Sequence, residues 1–375
     1  MIVIKKAYDC YVEDDEGKRY VDTTMGSGVQ IIGHGNSLIR KAATQVNDGT
    51  IYTIPNVYTA EVCSLLKKIN PEFSENYIFC NSGTEANMRA IRLARAFTGK
   101  KIIGRFHGGW HGGLDGFLEE HPSNKGVPLE TNNLFKVLPY NDERCFEMIN
   151  EDFAAVIIEP TQGSNPRSDV GQFLKKLREQ CTRMGVLLIF DEVMTGFRLS
   201  ARGGAGIFNV RPDIITYGKV LGGGFPIGAV GAKAEIMKTK DVFYGGTFSA
   251  NPLSMYAASL ILETIIDKKH IQYDKLHQNG EFFRNQLNNF FIKEDKKMRV
   301  RGCGPLSRII FTDKEIKNRR ERDMFEPEGA QQIFSNKLKD VGVFINTNGL
   351  FHFSMSHTPQ VIKEIIKKIK QVCSE

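Results

Sequence analysis

Lys219 follows the apolar run DIITY within ITYGKVLGGG, and Asp191 ends another such run, VLLIFD. Runs of this kind read as buried strands, and in open α/β sheets ligands bind beyond the carboxyl ends of the strands. An amine and an acid delivered in this way suit a cofactor with an electrophilic carbon at one end and a basic nitrogen at the other. Pyridoxal phosphate is such a cofactor. Its aldehyde forms a Schiff base with a lysine, and its pyridinium nitrogen is partnered by a carboxylate. Taken alone, such a pair is better read as two loop-edge charges with no joint role.

A third segment changes that balance. After the apolar run YIFC comes Asn81-Ser82-Gly83-Thr84-Glu85, opening a helical pattern that runs to about Thr98 and stops at Gly99. Ser82 and Glu85 have capping-box spacing, which by itself predicts only a well-started helix. A glycine and free amides at a helix N-terminus also make an anion site, with Ser82 and Thr84 hydroxyls completing a phosphate cradle. The glycine run Gly222-Gly223-Gly224 beyond Lys219 allows a sharp turn and leaves room for a bulky group. Nucleotide chemistry drops out: Gly218-Lys219 is followed by Val220 rather than Ser or Thr, and no GxGxxG follows a strand.

These residues need a framework, and the chain supplies one. Apolar runs at 77–80, 101–104, 154–158, 186–190, 213–217 and 227–231 alternate with helical patterns. The predicted fold is α/β, a mostly parallel sheet sandwiched by helices. Tyr11–Val12 and Arg19–Val21, joined across DDEG, read as an N-terminal hairpin. After Asn251-Pro252 two amphipathic helices (about 253–267 and 275–292) lead into MRVRGCG, LSRIIFT, VFIN and LFHFS, and a helix begins at Thr358-Pro359. The expected organisation is an arm over 1–49, a large cofactor-binding domain over 50–252, and a smaller α+β domain over 253–375 that the arm joins.

The 41% hydrophobic content of the 375 residues is ample for a packed core. No apolar run approaches the roughly 18 residues of a membrane span. The start MIVIKKAYDC lacks a signal-peptide layout, so a soluble cytoplasmic protein is expected. Seven scattered cysteines without CxxC spacing read as reduced thiols. His107 and His111 lie in HGGWHGG, too glycine-rich for a helix and without a third ligand, so no metal is expected. Much of the net charge of +7 lies on the solvent face of the last helix, opposite Ile362, Ile365, Ile366 and Ile369, which does not suggest nucleic acid. It gives a weak bias toward an anionic substrate.

With these residues assembled, the chain resembles the class III pyridoxal-phosphate aminotransferases of fold type I, and within them glutamate-1-semialdehyde 2,1-aminomutases. The resemblance rests on NSGTEANMRAIRLARAFTG, AAVIIEP, LLIFDEVMTGFR, RPDIITYGKVLGGGFPIGAVG and GGTFSANPLSM, with YVEDDEGKRYVD and SMSHT toward the ends. It implies that Lys219 is the covalent anchor and general base, that Asp191 partners the pyridine nitrogen, and that Ser82, Gly83 and Thr84 hold the phosphate. Val193 would pack beneath the ring. Trp110, the only tryptophan, falls where the family places an aromatic ring over it. Glu159 and the following TQGSN would run along the phenolic edge, with Ser164 or Asn165 as the partner of the ring oxygen. Thr247 would reach the phosphate of a neighbouring subunit, which implies a homodimer with shared sites.

The departures bear on the reaction. The aminomutase's N-terminal serine and arginine contacts have no counterpart here, its gate glutamate aligns with Gly349, and the loop after Trp110 is shorter than its mobile lid. A shortened lid works against retaining the diamino intermediate an aminomutase needs. The expected activity is transfer of an amino group from a donor such as glutamate to a small carbonyl acceptor. Glutamate-1-semialdehyde 2,1-aminomutase is the second reading and a racemase or epimerase the third. A non-catalytic cofactor-binding regulator is disfavoured by the intact lysine and aspartate. The substrate's anchor stays open among Arg19, Arg40, Arg167, Arg301 and Arg308.

Overall fold

A computed structural model describes residues 2–374 apart from residues 53, 75, 119–123 and 269, so part of the loop after Trp110 lies outside the described residues. In chain order the strands are β1 Ile4–Tyr8, β2 Tyr11–Asp14, β3 Arg19–Asp22, β4 Ile78–Cys80, β5 Ile102–Phe106, β6 Phe135–Leu138 and β7 Phe153–Ile158. They continue as β8 Leu187–Asp191, β9 Ile214–Tyr217, β10 Gly228–Ala232, β11 Arg299–Cys303, β12 Leu306–Ile310, β13 Val343–Phe344 and β14 Leu350–His352.

Seven of them form one sheet in the order β4-β10-β9-β8-β7-β5-β6. From β9 through β8, β7 and β5 to β6 every neighbour is parallel. Only β10 runs antiparallel, to both β9 and β4. Two reversals return β4 to the common direction, so β4, β5, β7, β8 and β9 all present their carboxyl ends at one edge. The continuous apolarity of the central strands reflects burial on both faces. In β7, Val156 and Ile158 join one core cluster while Ala155 and Ile157 join the other.

The helix Gly83–Thr98 lies against this sheet. Its Ala86, Ala90, Leu93 and Ala94 form the buried stripe. Ser82 caps it by accepting from Glu85 N at 3.2 Å, and Glu85 Oε2 reaches back to Asn81 N at 2.6 Å. Gly99, with φ of 70°, ends it in the left-handed conformation that glycine adopts freely.

The chain's two ends share a second sheet, in which β13 pairs in parallel with β3 of the amino-terminal hairpin. A third sheet, β11-β12-β14, is antiparallel. It packs with the helices Tyr273–Lys293 and Pro359–Ser374 around Phe283, Phe291, Phe351 and Phe353. No described helix is long and apolar enough to cross a membrane.

Candidate active site

One cavity of about 940 Å³ opens at the carboxyl edge of the large sheet. Gly83 follows β4, Trp110 and His111 follow β5, Glu159 follows β7, Asp191 ends β8 and Lys219 follows β9, and all of them line it. The opposite wall comes from the carboxyl-terminal third: Arg308 of β12, His352 of β14, and residues of the helices Arg319–Phe325 and Ala330–Asp340.

Asp191 is held from several sides. Its Oδ2 accepts from Asn87 Nδ2 at 2.7 Å and lies 2.7 Å from His111 Nδ1, while Oδ1 accepts from Val193 N at 3.0 Å. A carboxylate only accepts, so His111 carries its proton on Nδ1. Asn87 is in turn fixed by Thr216, whose hydroxyl donates to Asn87 Oδ1 at 2.7 Å. This pins the carboxylate from the helix, from β9 and from the loop after β5. Sequence reading weighed His111 only as a metal ligand, and its proximity to Asp191 gave no local signal.

Lys219 has φ of 44°, a left-handed backbone uncommon in a residue with a side chain. The preceding Gly218 is extended, and Lys219–Gly222 forms a single 3₁₀ turn. The amine makes one weak contact, 3.9 Å to Met194 Sδ. Enclosure by protein brings it down to about 8, against the opposing pull of Glu159 and Asp191 and with help from the Arg198 charge. Arg198 is fully enclosed and donates to the carbonyls of Phe353 and Gly28. The same surroundings, burial first and then the Arg198 and Lys219 charges, drive His352 far below the usual histidine range, so its imidazole is neutral. Among the described residues neither ring nitrogen of His352 has a hydrogen-bond partner.

At the mouth of the helix Gly83–Thr98, Glu85 N–H is taken by Ser82 Oγ and Ala86 N–H by the Ser82 carbonyl. The amides of Gly83 and Thr84 stand ahead of both, at the positive end of the helix dipole. A Cβ on Gly83 would stand 2.8 Å from Val193 Cγ1, so the close approach of the two depends on glycine. Thr84 lines the cavity, whereas Ser82 serves as the helix cap behind it.

Glu159 accepts from Trp110 N and Gly163 N, each at 3.0 Å, and burial raises its carboxyl above the usual range. Trp110, 52% exposed, stands at the cavity rim. Of the two ring-oxygen candidates Ser164 lines the cavity, while Asn165 is buried outside the lining. Thr247 is exposed and does not line this chain's cavity. Of the five arginines left open by the sequence, only Arg308 lines it; Arg319 and Arg322 also do and were not anticipated.

The family model described as aminotransferase class-III matches residues 1–372. The glutamate-1-semialdehyde 2,1-aminomutase of Hydrogenobaculum sp. is 34% identical over 99% of this chain and 91% of that protein. The protein of the same name from Sulfolobus acidocaldarius is 34% identical over 99% and 94%. Among solved structures, an omega-transaminase from Sphaerobacter thermophilus superposes with a TM-score of 0.90 at 27% identity, covering 100% of this chain and 91% of that one. A beta-phenylalanine aminotransferase from Variovorax paradoxus gives 0.90 at 30%, covering 100% and 87%. A transaminase with pyridoxal phosphate bound gives 0.88 at 26%, covering 100% and 90%.

Proposed function

We propose, for a chain that belongs to the class-III aminotransferase family and uses pyridoxal phosphate, transfer of an amino group from a donor such as glutamate to a small carbonyl acceptor. The reading rests on one observation. A buried carboxylate, a lysine amine of lowered pKa and a glycine-opened helix N-terminus share one cavity. Those three features match the cofactor's pyridine nitrogen, aldehyde and phosphate, and the close packing of Gly83 on Val193 holds that side chain beside the proposed ring position. When bound, pyridoxal phosphate supplies an aldehyde that condenses with amines and a ring that draws electrons from the substrate carbon.

This chain's residues would divide the work as follows. Lys219 would be the covalent anchor, and its amine, once free, would take a proton from the substrate carbon and return it elsewhere. With a pKa of about 8, that amine is neutral often enough near pH 7 to accept a proton and protonated often enough to give one back. Asp191 would keep a proton on the pyridine nitrogen, with His111 and Asn87 holding the carboxylate in place. Gly83 and Thr84 amides, with the Ser82 and Thr84 side chains, would hold the phosphate. Trp110 would cover the ring opposite Val193. Glu159 and Ser164 would line its phenolic edge, with Asn165 supporting from behind. In a homodimer, Thr247 would reach the phosphate in the other copy's site.

A second reading, glutamate-1-semialdehyde 2,1-aminomutase, is favoured by the 34% identity to proteins of that name. Against it stands Gly349, at the place of the gate glutamate. It has φ of 68°, and a Cβ there would collide with Gln331 Oε1. The test is to add single amino acids and a carbonyl acceptor to the purified protein and measure the keto acid released. Release matched to amino acid consumed supports transfer. Formation of 5-aminolevulinate from glutamate-1-semialdehyde without a donor would overturn it, and inversion of an amino acid without keto-acid release would indicate a racemase.

A further inference from the structure

Four of the five open arginines are engaged away from the cavity. Arg19 stacks on Tyr11 with 4.9 Å to the ring centroid, Arg40 donates to Gly35 O, Arg167 pairs with Asp169, and Arg301 pairs with Glu315. Arg308 differs. It rises from β12 into the cavity wall, only 3% exposed. Its Nη1 donates to the Asn348 carbonyl. Its Nη2 lies 3.7 Å from Glu326 Oε2, an ion pair too long for a hydrogen bond, and its Nε has no hydrogen-bond partner among the described residues. The Nε–Nη2 edge is a face on which a guanidinium meets a carboxylate or phosphate through two parallel bonds.

The protein does not complete that edge. Glu326 Oε1 already accepts from Phe311 N and Gln331 Nε2, each at 3.0 Å, and its Oε2 is shared with Arg322 Nε at 3.4 Å. Arg322 is otherwise satisfied by Asp323 and the Ser164 carbonyl. Two buried guanidiniums therefore face one buried carboxylate, and the unfilled bonds fall on Arg308. Burial first, and repulsion from Arg322 second, bring Arg308 down to about 9, a cost that an anion in contact would relieve.

We propose that Arg308 is the anion-binding residue of the substrate site, taking a carboxylate or phosphate of the substrate on its Nε–Nη2 edge. The assignment rests on the reading of this cavity as the amino-transfer site. It makes the substrate one that carries an anionic group in addition to the reacting amine or carbonyl.

The test uses protein loaded with pyridoxal phosphate, so that the cofactor's own phosphate fills the helix N-terminus. Succinate and inorganic phosphate are titrated separately by calorimetry. One equivalent of either should bind the wild type, and which one binds distinguishes a carboxylate from a phosphate site. Arg308→Gln should weaken binding about tenfold or more, the equivalent of losing one charge-assisted hydrogen bond. Should Arg308→Gln fail to fold, Arg308→Lys serves in its place: it keeps the charge, loses the paired bonds and must also bind more weakly. Failure of both anions to bind, or wild-type affinity in these variants, overturns the proposal. Lys219→Ala separates the two readings. A cofactor still covalently fixed in that variant would defeat the functional reading, while anion binding by the wild type that weakens in the Arg308 variants would leave the anion site standing.

Discussion

His111 Nδ1 lies 2.7 Å from Asp191 Oδ2, and both side chains are almost wholly buried at the carboxyl edge of the sheet. The bond orients a carboxylate whose other hydrogen-bond partners among the described residues are Asn87 Nδ2 and Val193 N. It also couples the loop bearing Trp110 to the end of β8.

His111→Phe should therefore keep the fold and lose activity. Groups that orient a functional ligand are typically worth about 10- to 100-fold in activity, and a loss of that size in kcat is expected. Bound cofactor per chain should stay near the wild-type value. Asp191→Asn, which cannot hold the ring proton as a carboxylate does, should lose more, on the order of 10² or greater. A His111→Phe variant with unchanged kcat would remove the positioning role.

Attachment of pyridoxal phosphate to the cofactor-free protein should depend on pH through Lys219. Below about 8 the amine is protonated and cannot attack; above it the amine is neutral. The attachment rate should rise with pH and level off beyond about 8, well before the 10.5 of an ordinary lysine. Borohydride fixation followed by mass spectrometry of the peptide containing Lys219 measures it. A rate still climbing steeply near pH 10 would show that enclosure does not lower this amine.

Gly83→Ala should push a methyl into Val193, with the Cβ 2.8 Å from Val193 Cγ1. Overpacking of this sort costs about 1–3 kcal/mol, and here it also displaces Val193, the residue proposed to pack against the ring. Weaker cofactor retention and a lower melting temperature are expected. Val193→Ala in the same chain should restore part of both, giving a coupling of about 0.5–3 kcal/mol in the double-mutant cycle. Strict additivity would mean that the two side chains do not compete for that space.

Gly349→Glu tests whether this chain can carry a gate glutamate. Its φ of 68° is unfavourable to any side chain, and the Gln331 amide occupies the space a Cβ would need. The single substitution should destabilise the fold by at least about 1 kcal/mol without yielding 5-aminolevulinate. Adding Gln331→Ala should recover only the steric share, which a pair of chemical-denaturation curves resolves.

Six strands were legible because burial on both faces writes itself as unbroken apolar runs, which match β5, β7, β8, β9 and β10 inside the sheet and β4, an edge strand that is buried throughout. The strand β6 was not, because Lys136 is exposed and Val137 half-buried, which interrupts the apolar pattern. The strand β1 escaped for the same reason, with Lys5 and Lys6 exposed on an edge. The helix Arg319–Phe325 has a charged sequence, RRERDMF, with too few apolar positions to show a stripe.

By itself the sequence determined which residues stand at the ends of buried strands, and so the chemistry available from Ser82–Thr84, Asp191 and Lys219. Local periodicity is enough for that, because strand ends and helix starts are set by residues near them in the chain. Only the tertiary structure brought His111 against Asp191 and His352 into the cavity of Lys219, and only it separated Arg308 from four arginines that looked equivalent. Those relationships join segments far apart in the chain, and they depend on how β12, β14 and the helix Ala330–Asp340 pack across the sheet edge. No local pattern encodes that packing.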